Sequence, residues 1–393
     1  MKSSRFPFRA LPFAGFFLLL APGAMGGALA TAPLVALTGL LAYPWPRFLR
    51  HARAAAPLIA ALAAFAAWAL AACFWSPSPN AFVQLGKIVA MAAAGFLLVG
   101  AASGDESCKR FVAFAGFGAA ALLAMLLGVE FIADMPLNRL FQPEAETGKL
   151  LRNPGAGALV LVFLTIGVMA SFVGAESWRR HSWRALALAA AFLSLQFATA
   201  ANAVALAAAA IAFVFGYFVP RLGFPIIATI LALWMLAAPW VAPLLADQQA
   251  LIDRLPDSWA IRTVIWDHAA ALIREQPLLG HGFDSARTIE GESTLRGVTF
   301  ELIPLHPHSA SLQVWLELGG IGAALAAIAL FVGGLAGARA CAGDPNVSAG
   351  ACGILVAAGV VANVSYGAWQ EWLVALFFTG AALVAAARRD GAT

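Results

Sequence analysis

Apolar runs of about 20 residues recur from one end of the chain to the other. A helix rises about 1.5 Å per residue, so each run matches the roughly 30 Å hydrocarbon core of a bilayer. Inside that core the backbone must satisfy its own hydrogen bonds, which leaves helices as the form such runs can take. The runs fall at approximately 11–28, 29–46, 56–75, 82–101, 110–130, 154–174, 183–200, 201–219, 222–245, 309–338, 347–366 and 369–387. The first two, and the seventh and eighth, are poorly separated, so eleven to thirteen spans are compatible with the pattern. The expected architecture is all-α, a polytopic membrane helical bundle of about twelve transmembrane helices.

Composition agrees. Of 393 residues 62% are hydrophobic and 11% charged, where a soluble chain carries about 25% charged residues. Abundant glycine and alanine suit helices that approach closely in lipid. The four cysteines, Cys73, Cys108, Cys341 and Cys352, have neither paired nor metal-type spacing and read as unbridged packing residues. No small-residue cleavage site follows a short apolar core, so the first run is expected to stay as a helix. No repeat or low-complexity linker divides the chain, which reads as a single membrane domain, 1–393. Phosphate-binding glycine loops, zinc-spaced clusters and Asp-x-Asp pairs are absent. No metal, cofactor or nucleic-acid partner is expected.

Basic residues set the orientation. With the N-terminus cytoplasmic, Lys2, Arg5, Arg9, Arg47, Arg50, Arg53, Lys109, Arg110, Arg179, Arg180, Arg184, Arg221, Arg339, Arg388 and Arg389 all lie inside. Both termini are then cytoplasmic. Two outward segments break the rule. One is 131–153, with Arg139, Lys149 and Arg152. The other is the long loop 246–308 between the ninth and tenth spans, with Arg254, Arg262, Arg274, Arg287 and Arg296. Cations on the translocated side suggest an anionic ligand; the alternative is solvated charge balanced by the acids of the same loops.

Within the long loop, Asp257 and Ser258 are expected to cap a helix over about 259–275. Its apolar residues recur at helical spacing and would let it lie on the bundle, and Pro277 would end it. Arg262, one turn before Trp266, would project from this platform. A guanidinium is permanently charged and fits phosphate oxygens as a fork. Without a divalent metal, arginines would have to neutralise a departing diphosphate. Arg139, Lys149 and Arg152 could close around the same group.

His308 follows Pro307 and precedes Ser309, which can cap the tenth span. A helix start attracts phosphate and disfavours protonation of a nearby imidazole, leaving a neutral ring able to act as general base. The alternative is an interfacial histidine bonded to a loop carbonyl. His306 and His281 are weaker candidates with structural readings of their own. Ser309, Gln313 and Glu317 recur every four residues and line one stripe. An intramembrane carboxylate is costly, so Glu317 marks function or braces its surroundings, and bracing is the preferred reading. Lys87, in the fourth span, would snorkel or meet a lipid phosphate.

Three segments together resemble the bacterial O-antigen ligase/polymerase superfamily. They are Arg262-x-x-x-Trp266, Pro-Leu-Leu-Gly-x-Gly-Phe at 277–283, and His308-Ser-x-x-Leu-Gln-x-Trp-x-Glu317-Leu-Gly-x-x-Gly322. The start of the last span, Trp369-Gln370-Glu371-Trp372, adds weaker support. The resemblance implies a GT-C-type membrane glycosyltransferase of the bacterial inner membrane, moving a glycan from undecaprenyl diphosphate to an acceptor hydroxyl on the periplasmic side, without metal and with inversion. It implies that an arginine at the place of Arg262 binds the diphosphate and a histidine at the place of His308 assists acceptor attack. The family's Ser-Arg pair between the seventh and eighth spans has no counterpart here: Asn202 stands there, able to donate a hydrogen bond but carrying no charge. Arg152, Lys149 or Lys87 would have to compensate.

The leading expectation is an O-antigen ligase with a lipid A-core acceptor and membrane lipids as neighbours. A polymerase of O-antigen or exopolysaccharide would use the same donor chemistry, with a glycan as acceptor. A secondary transporter also suits twelve spans, but no matching halves appear and the polar residues gather at one face instead of the midplane.

Overall fold

The computed structural model describes residues 10–146, 150–173, 177–197, 200–341 and 343–388. The helices are α1 (Leu11–Met25), α2 (Thr31–Ala42), α3 (Phe48–Ala54), α4 (Ala56–Ala72), α5 (Ala81–Ala102), α6 (Glu106–Ile132), α7 (Pro136–Phe141) and α8 (Arg152–Phe172). They continue as α9 (Ser177–Gln196), α10 (Ala200–Phe218), α11 (Gly223–Val241), α12 (Asp257–Glu275), α13 (Ala310–Cys341), α14 (Pro345–Val364) and α15 (Glu371–Ala387). The chain is a polytopic membrane helical protein, with one helix in each expected run. Among the described residues seven helices are long and apolar enough to cross a bilayer by length and composition: α5, α6, α8, α10, α11, α13 and α14. The pair Trp45–Ala54 and Ala56–Ala72 passes the same test only when taken together, and it is bent by 82° at its break. Helices α1, α2 and α15 are apolar but shorter.

Two hydrophobic cores organise the bundle. The larger surrounds α8, whose buried residues run almost without interruption from Pro154 to Phe172, with α1, α6 and α15 packed on it. The smaller joins α4, α11, α12 and α13 through Trp266, Phe283, Leu312, Trp315, Leu316 and Trp369. All four cysteines are buried, and no disulfide joins them among the described residues.

The long loop is more structured than the sequence announces. Helix α12 starts at Asp257, with no side-chain cap from Asp257 or Ser258. Instead Asp257 accepts from Arg296 at 2.8 Å, so the expected cap is replaced by an ion pair that ties the helix start to the rest of the loop. Beyond Pro277 comes an antiparallel hairpin, β1 (Glu292–Leu295) with β2 (Val298–Glu301), which was not anticipated.

The tenth span, expected as one helix over 309–338, is broken. Gly319 has φ 63° and ψ −168°, and α13 divides there. The break frees carbonyls at the end of the first half, and the Pro277–Phe283 segment supplies donors for them. His281 N donates to Leu316 O at 2.8 Å and Gly282 N to Glu317 O at 2.9 Å. From the fourth helix Trp68 donates its indole N–H to Leu318 O at 2.9 Å. In return Gly320 N, the first amide of the second half, donates to Pro277 O at 2.8 Å. Every orphan group named here thus has a partner, as a break at membrane depth requires. The close approach explains the glycines: a Cβ on Gly280 would run into the backbone of Glu317 and Gly319, and one on Gly319 into Leu278.

Gly319→Ala would need both a left-handed residue with a side chain and room that Leu278 occupies. We expect a loss of roughly 1–3 kcal/mol from backbone strain alone, seen as a lower melting temperature in detergent. Gly118→Ala, with open space around it in α6, should instead hold or raise the melting temperature, since alanine favours a helix by about 1 kcal/mol.

Candidate functional site

At the end of the bundle where the long loop sits, one carboxylate fixes the backbone. Glu317 is fully buried. Its Oε1 accepts from Gln313 Nε2 at 2.9 Å, and its Oε2 accepts from the Trp369 indole at 2.6 Å and from the Asp284 amide. Gln313 Oε1 in turn accepts from Ala368 N at 2.8 Å. The stripe on α13 therefore holds two segments in place: the loop around Asp284 and the turn 365–370 that precedes α15.

That turn presents two groups to the histidines. Ser365 O accepts from His308 Nδ1 at 2.7 Å. Because a carbonyl can only accept, the His308 proton sits on Nδ1 and the Nε2 lone pair is left unprotonated. The His308 amide donates to His306 Nδ1 at 3.1 Å, and His306 Nε2 lies 3.3 Å from Gln370 Nε2. The two rings meet edge to face, centroids 4.7 Å apart. His308 has φ 53°, a left-handed conformation held by these bonds on both sides. Ser309 then caps α13: its Oγ accepts from Leu312 N at 3.4 Å and donates to Asn363 Oδ1 at 3.3 Å.

Arg262 comes to the same place from α12. Its Nη1 donates to Ser258 O at 2.8 Å, and its guanidinium lies 5.4 Å from the Trp259 ring centroid. Its Nε is buried without a partner, as is the indole N–H of Trp266 one turn on. A cavity of about 310 Å³ lies next to both: Trp259, Thr263 and Trp266 line it together with Ser309, Trp234 and Asn363, while neither Arg262 nor His308 is among its lining residues.

The electrostatics follow from this packing. Burial holds His308 below the usual imidazole value; the Ser365 carbonyl pulls it back and the Arg262 charge lowers it further. His306 is driven down to about 3 by burial, then by His308, Arg287 and Arg262. Tyr366 is pushed up to about 12 by burial, against the opposing pull of Arg262. Arg262 itself is lowered by burial yet remains a cation. The site offers a neutral imidazole with one free nitrogen beside a fixed positive charge.

The other expected residues are placed as follows. Trp266 is buried in the core beneath α12. His281 Nε2 faces Leu272 O at 3.0 Å, so that ring joins its loop to α12. Lys87 pairs with Glu371 at 3.6 Å. Arg139 is bonded to Asp134, at 3.0 Å to its carboxylate and 2.9 Å to its carbonyl. Asn202 is buried and donates to Gly155 O at 2.8 Å, holding α10 to α8. Arg152 is exposed at the start of α8. Lys149 lies outside the described residues. Among the described residues, no hydrogen bond or ion pair joins Arg139, Arg152, Asn202 or Lys87 to Arg262 or His308. The sequence reading did not single out Asn363, which gathers Trp234, Ser309 and Ser311 on one oxygen, or Asp284, buried between Ser78 and Arg287. A lone amide near the end of an apolar span was the only signal for the first.

Comparison with known proteins bears on this region. A family model described as O-antigen ligase matches residues 156–327, which contain Arg262, His308, Gln313 and Glu317. Over that region, somewhat less than half of the chain, the protein is similar to the O-antigen ligase family. Three rickettsial relatives carry the name "Putative polysaccharide ligase". The Rickettsia bellii (strain RML369-C) protein is 28% identical over 166 residues, 38% of this chain and 39% of its own length. The Rickettsia prowazekii (strain Madrid E) protein is 32% identical over 123 residues, 30% of this chain and 29% of its own. That of Rickettsia conorii (strain ATCC VR-613 / Malish 7) is 28% identical over 162 residues, 38% of each. The aligned part thus spans between about three tenths and two fifths of these relatives.

The histidine pair gives the protein a pH signature. An unfolded imidazole takes its proton near 6.5, the folded His306 only at about 3. Between those values the unfolded chain binds more protons, so stability is full above pH 6.5 and falls as pH drops toward 3. This one group can cost up to about 5 kcal/mol across that window. Melting temperature should decline steadily from pH 7 to pH 4, and His306→Asn should flatten the decline.

Proposed function

We propose that this protein is an O-antigen ligase-like glycosyltransferase, which moves a saccharide from undecaprenyl diphosphate to a lipid A-core acceptor on the periplasmic side of the bacterial inner membrane, without metal and with inversion. The observation that carries the reading is the His308 tautomer: Nδ1–H is spent on Ser365 O, so Nε2 is an acceptor beside the Arg262 cation.

In this reading Nε2 takes the proton of the acceptor hydroxyl as its oxygen bonds the anomeric carbon. The bond from that carbon to the diphosphate breaks, and the electron pair leaves on the phosphate oxygen. Arg262 meets that growing charge with donors already oriented and partly desolvated. Attack from the side opposite the leaving group inverts the anomeric centre. Glu317 and Gln313 position the Ser365 turn and touch no substrate. Arg152, at the mouth of α8, and Lys149 and Arg139 on the same outward segment, are proposed to gather the diphosphate, with Lys87 a further cation and Asn202 a neutral brace where the family has an arginine. Periplasmic exposure of the site and cytoplasmic termini rest on the distribution of Lys and Arg.

Reconstituted with lipid-linked saccharide and lipid A-core, His308→Ala should lower turnover by roughly 10²- to 10⁴-fold, the usual contribution of a general base. Arg262→Lys should also fail, since a point charge cannot replace the fork. Activity should persist well below pH 6.5, because His308 is held neutral. Full turnover in the double variant would overturn this assignment of the site. Transfer to a growing glycan chain in preference to lipid A-core would make the protein a polymerase.

A further inference from the structure

The opposite face of the bundle carries a second feature, unrelated to transfer. Helix α4 ends at the site, where Phe283 N donates to Ala72 O and Ser76 Oγ to Phe283 O. Its first residue, Ala56, begins a helix of 17 residues, which puts it roughly 24 Å away at the far surface. Just before it the segment Trp45–Ala54 turns by 82° from the α4 axis.

This segment is two-faced. Trp45, Phe48 and Leu49 are exposed by 51%, 44% and 66%, and with Ala52 they recur at helical spacing. Arg47, Arg50 and Arg53, three residues apart, form the other stripe and are exposed as well. Among the described residues none of the three is in an ion pair. The angle is fixed by a latch. Tyr43 Oη and His51 Nδ1 lie 2.8 Å apart, and the Tyr43 ring meets Trp45, Phe48 and His51 edge to face at 5.4, 6.3 and 5.7 Å. Gly100 on α5 leaves room for that ring.

A short segment held nearly perpendicular to a membrane span has its axis along the membrane surface. With an apolar stripe toward the acyl boundary, its unpaired arginines stand at head-group level. We infer that Trp45–Ala54 is a docking surface for anionic phospholipid head groups on the membrane face opposite the site. Three uncompensated guanidinium groups in one row complement phosphodiesters, and exposed Trp45 and Phe48 suit the same boundary.

The test places the full-length protein in nanodiscs of phosphatidylcholine alone or with about one third phosphatidylglycerol, and follows hydrogen exchange at residues 45–54. Exchange should be slower with the anionic lipid, and 0.5 M salt should weaken the difference. Arg47→Gln/Arg50→Gln/Arg53→Gln should reduce it by roughly fivefold per arginine while leaving the melting temperature unchanged. Equal exchange in the two lipids, or an undiminished difference in the triple variant, would overturn the inference. So would equal protection by inorganic phosphate added to neutral discs, which would assign the row to free anions.

Discussion

The broken helix at Gly319 is the constraint on which the rest of the structure depends. An uninterrupted tenth span would keep its carbonyls for itself, and the Pro277–Phe283 segment would have nothing to bind. Once the helix parts, the segment becomes a third strand of hydrogen bonding between its halves: it donates to Leu316 and Glu317 and accepts from Gly320. Burying so much irregular backbone is tolerable only because each group named is satisfied. The two motifs are thus one folded object. Neither glycine-rich sequence can hold its shape without the other.

From that joint, order passes outward through polar groups. Glu317 lies two residues before the break and collects Gln313, Trp369 and the Asp284 amide; Gln313 fixes Ala368; the turn so fixed offers Ser365 O to His308. A buried, fully partnered network of this kind is costly to disturb at any point. Asn363 performs a parallel task on the other side of the helix start, joining Trp234, Ser309 and Ser311. The His308 ring is held by the Ser365 carbonyl and the His308 amide by the His306 ring, which explains how this histidine can sit in a left-handed conformation.

Much of this was legible in the residues, for identifiable reasons. Apolar length is a strong signal, and all twelve runs hold helices. The cluster Arg262, His308, Gln313 and Glu317 stood out because polar residues are rare in such a chain. What could not be read was anything that depends on a partner far along the sequence. Asp257 looked like a cap because local spacing allows it, but Arg296, 39 residues on, takes its carboxylate. Leu318-Gly319-Gly320 looked like helix because glycine is common in membrane spans, whereas its positive φ is set by Leu278 and Gly280. Lys87 looked solitary until Glu371, across the bundle, was in view. Arg139 and Asn202 likewise have neighbours that spacing could not reveal.

The interlocked histidines carry one more consequence. Both Nδ1 atoms face backbone groups: the His308 one gives its hydrogen to a carbonyl, the His306 one receives an amide hydrogen that cannot be passed on. Neither contact can relay a proton. The pair is therefore insulated from behind: the His306 Nε2 lies against Gln370, and the bare nitrogen is that of the second ring. On the role proposed for His308, a hydrogen ion that arrives there must leave by the door through which it came, so that emptying the vestibule and resetting the base become the same event.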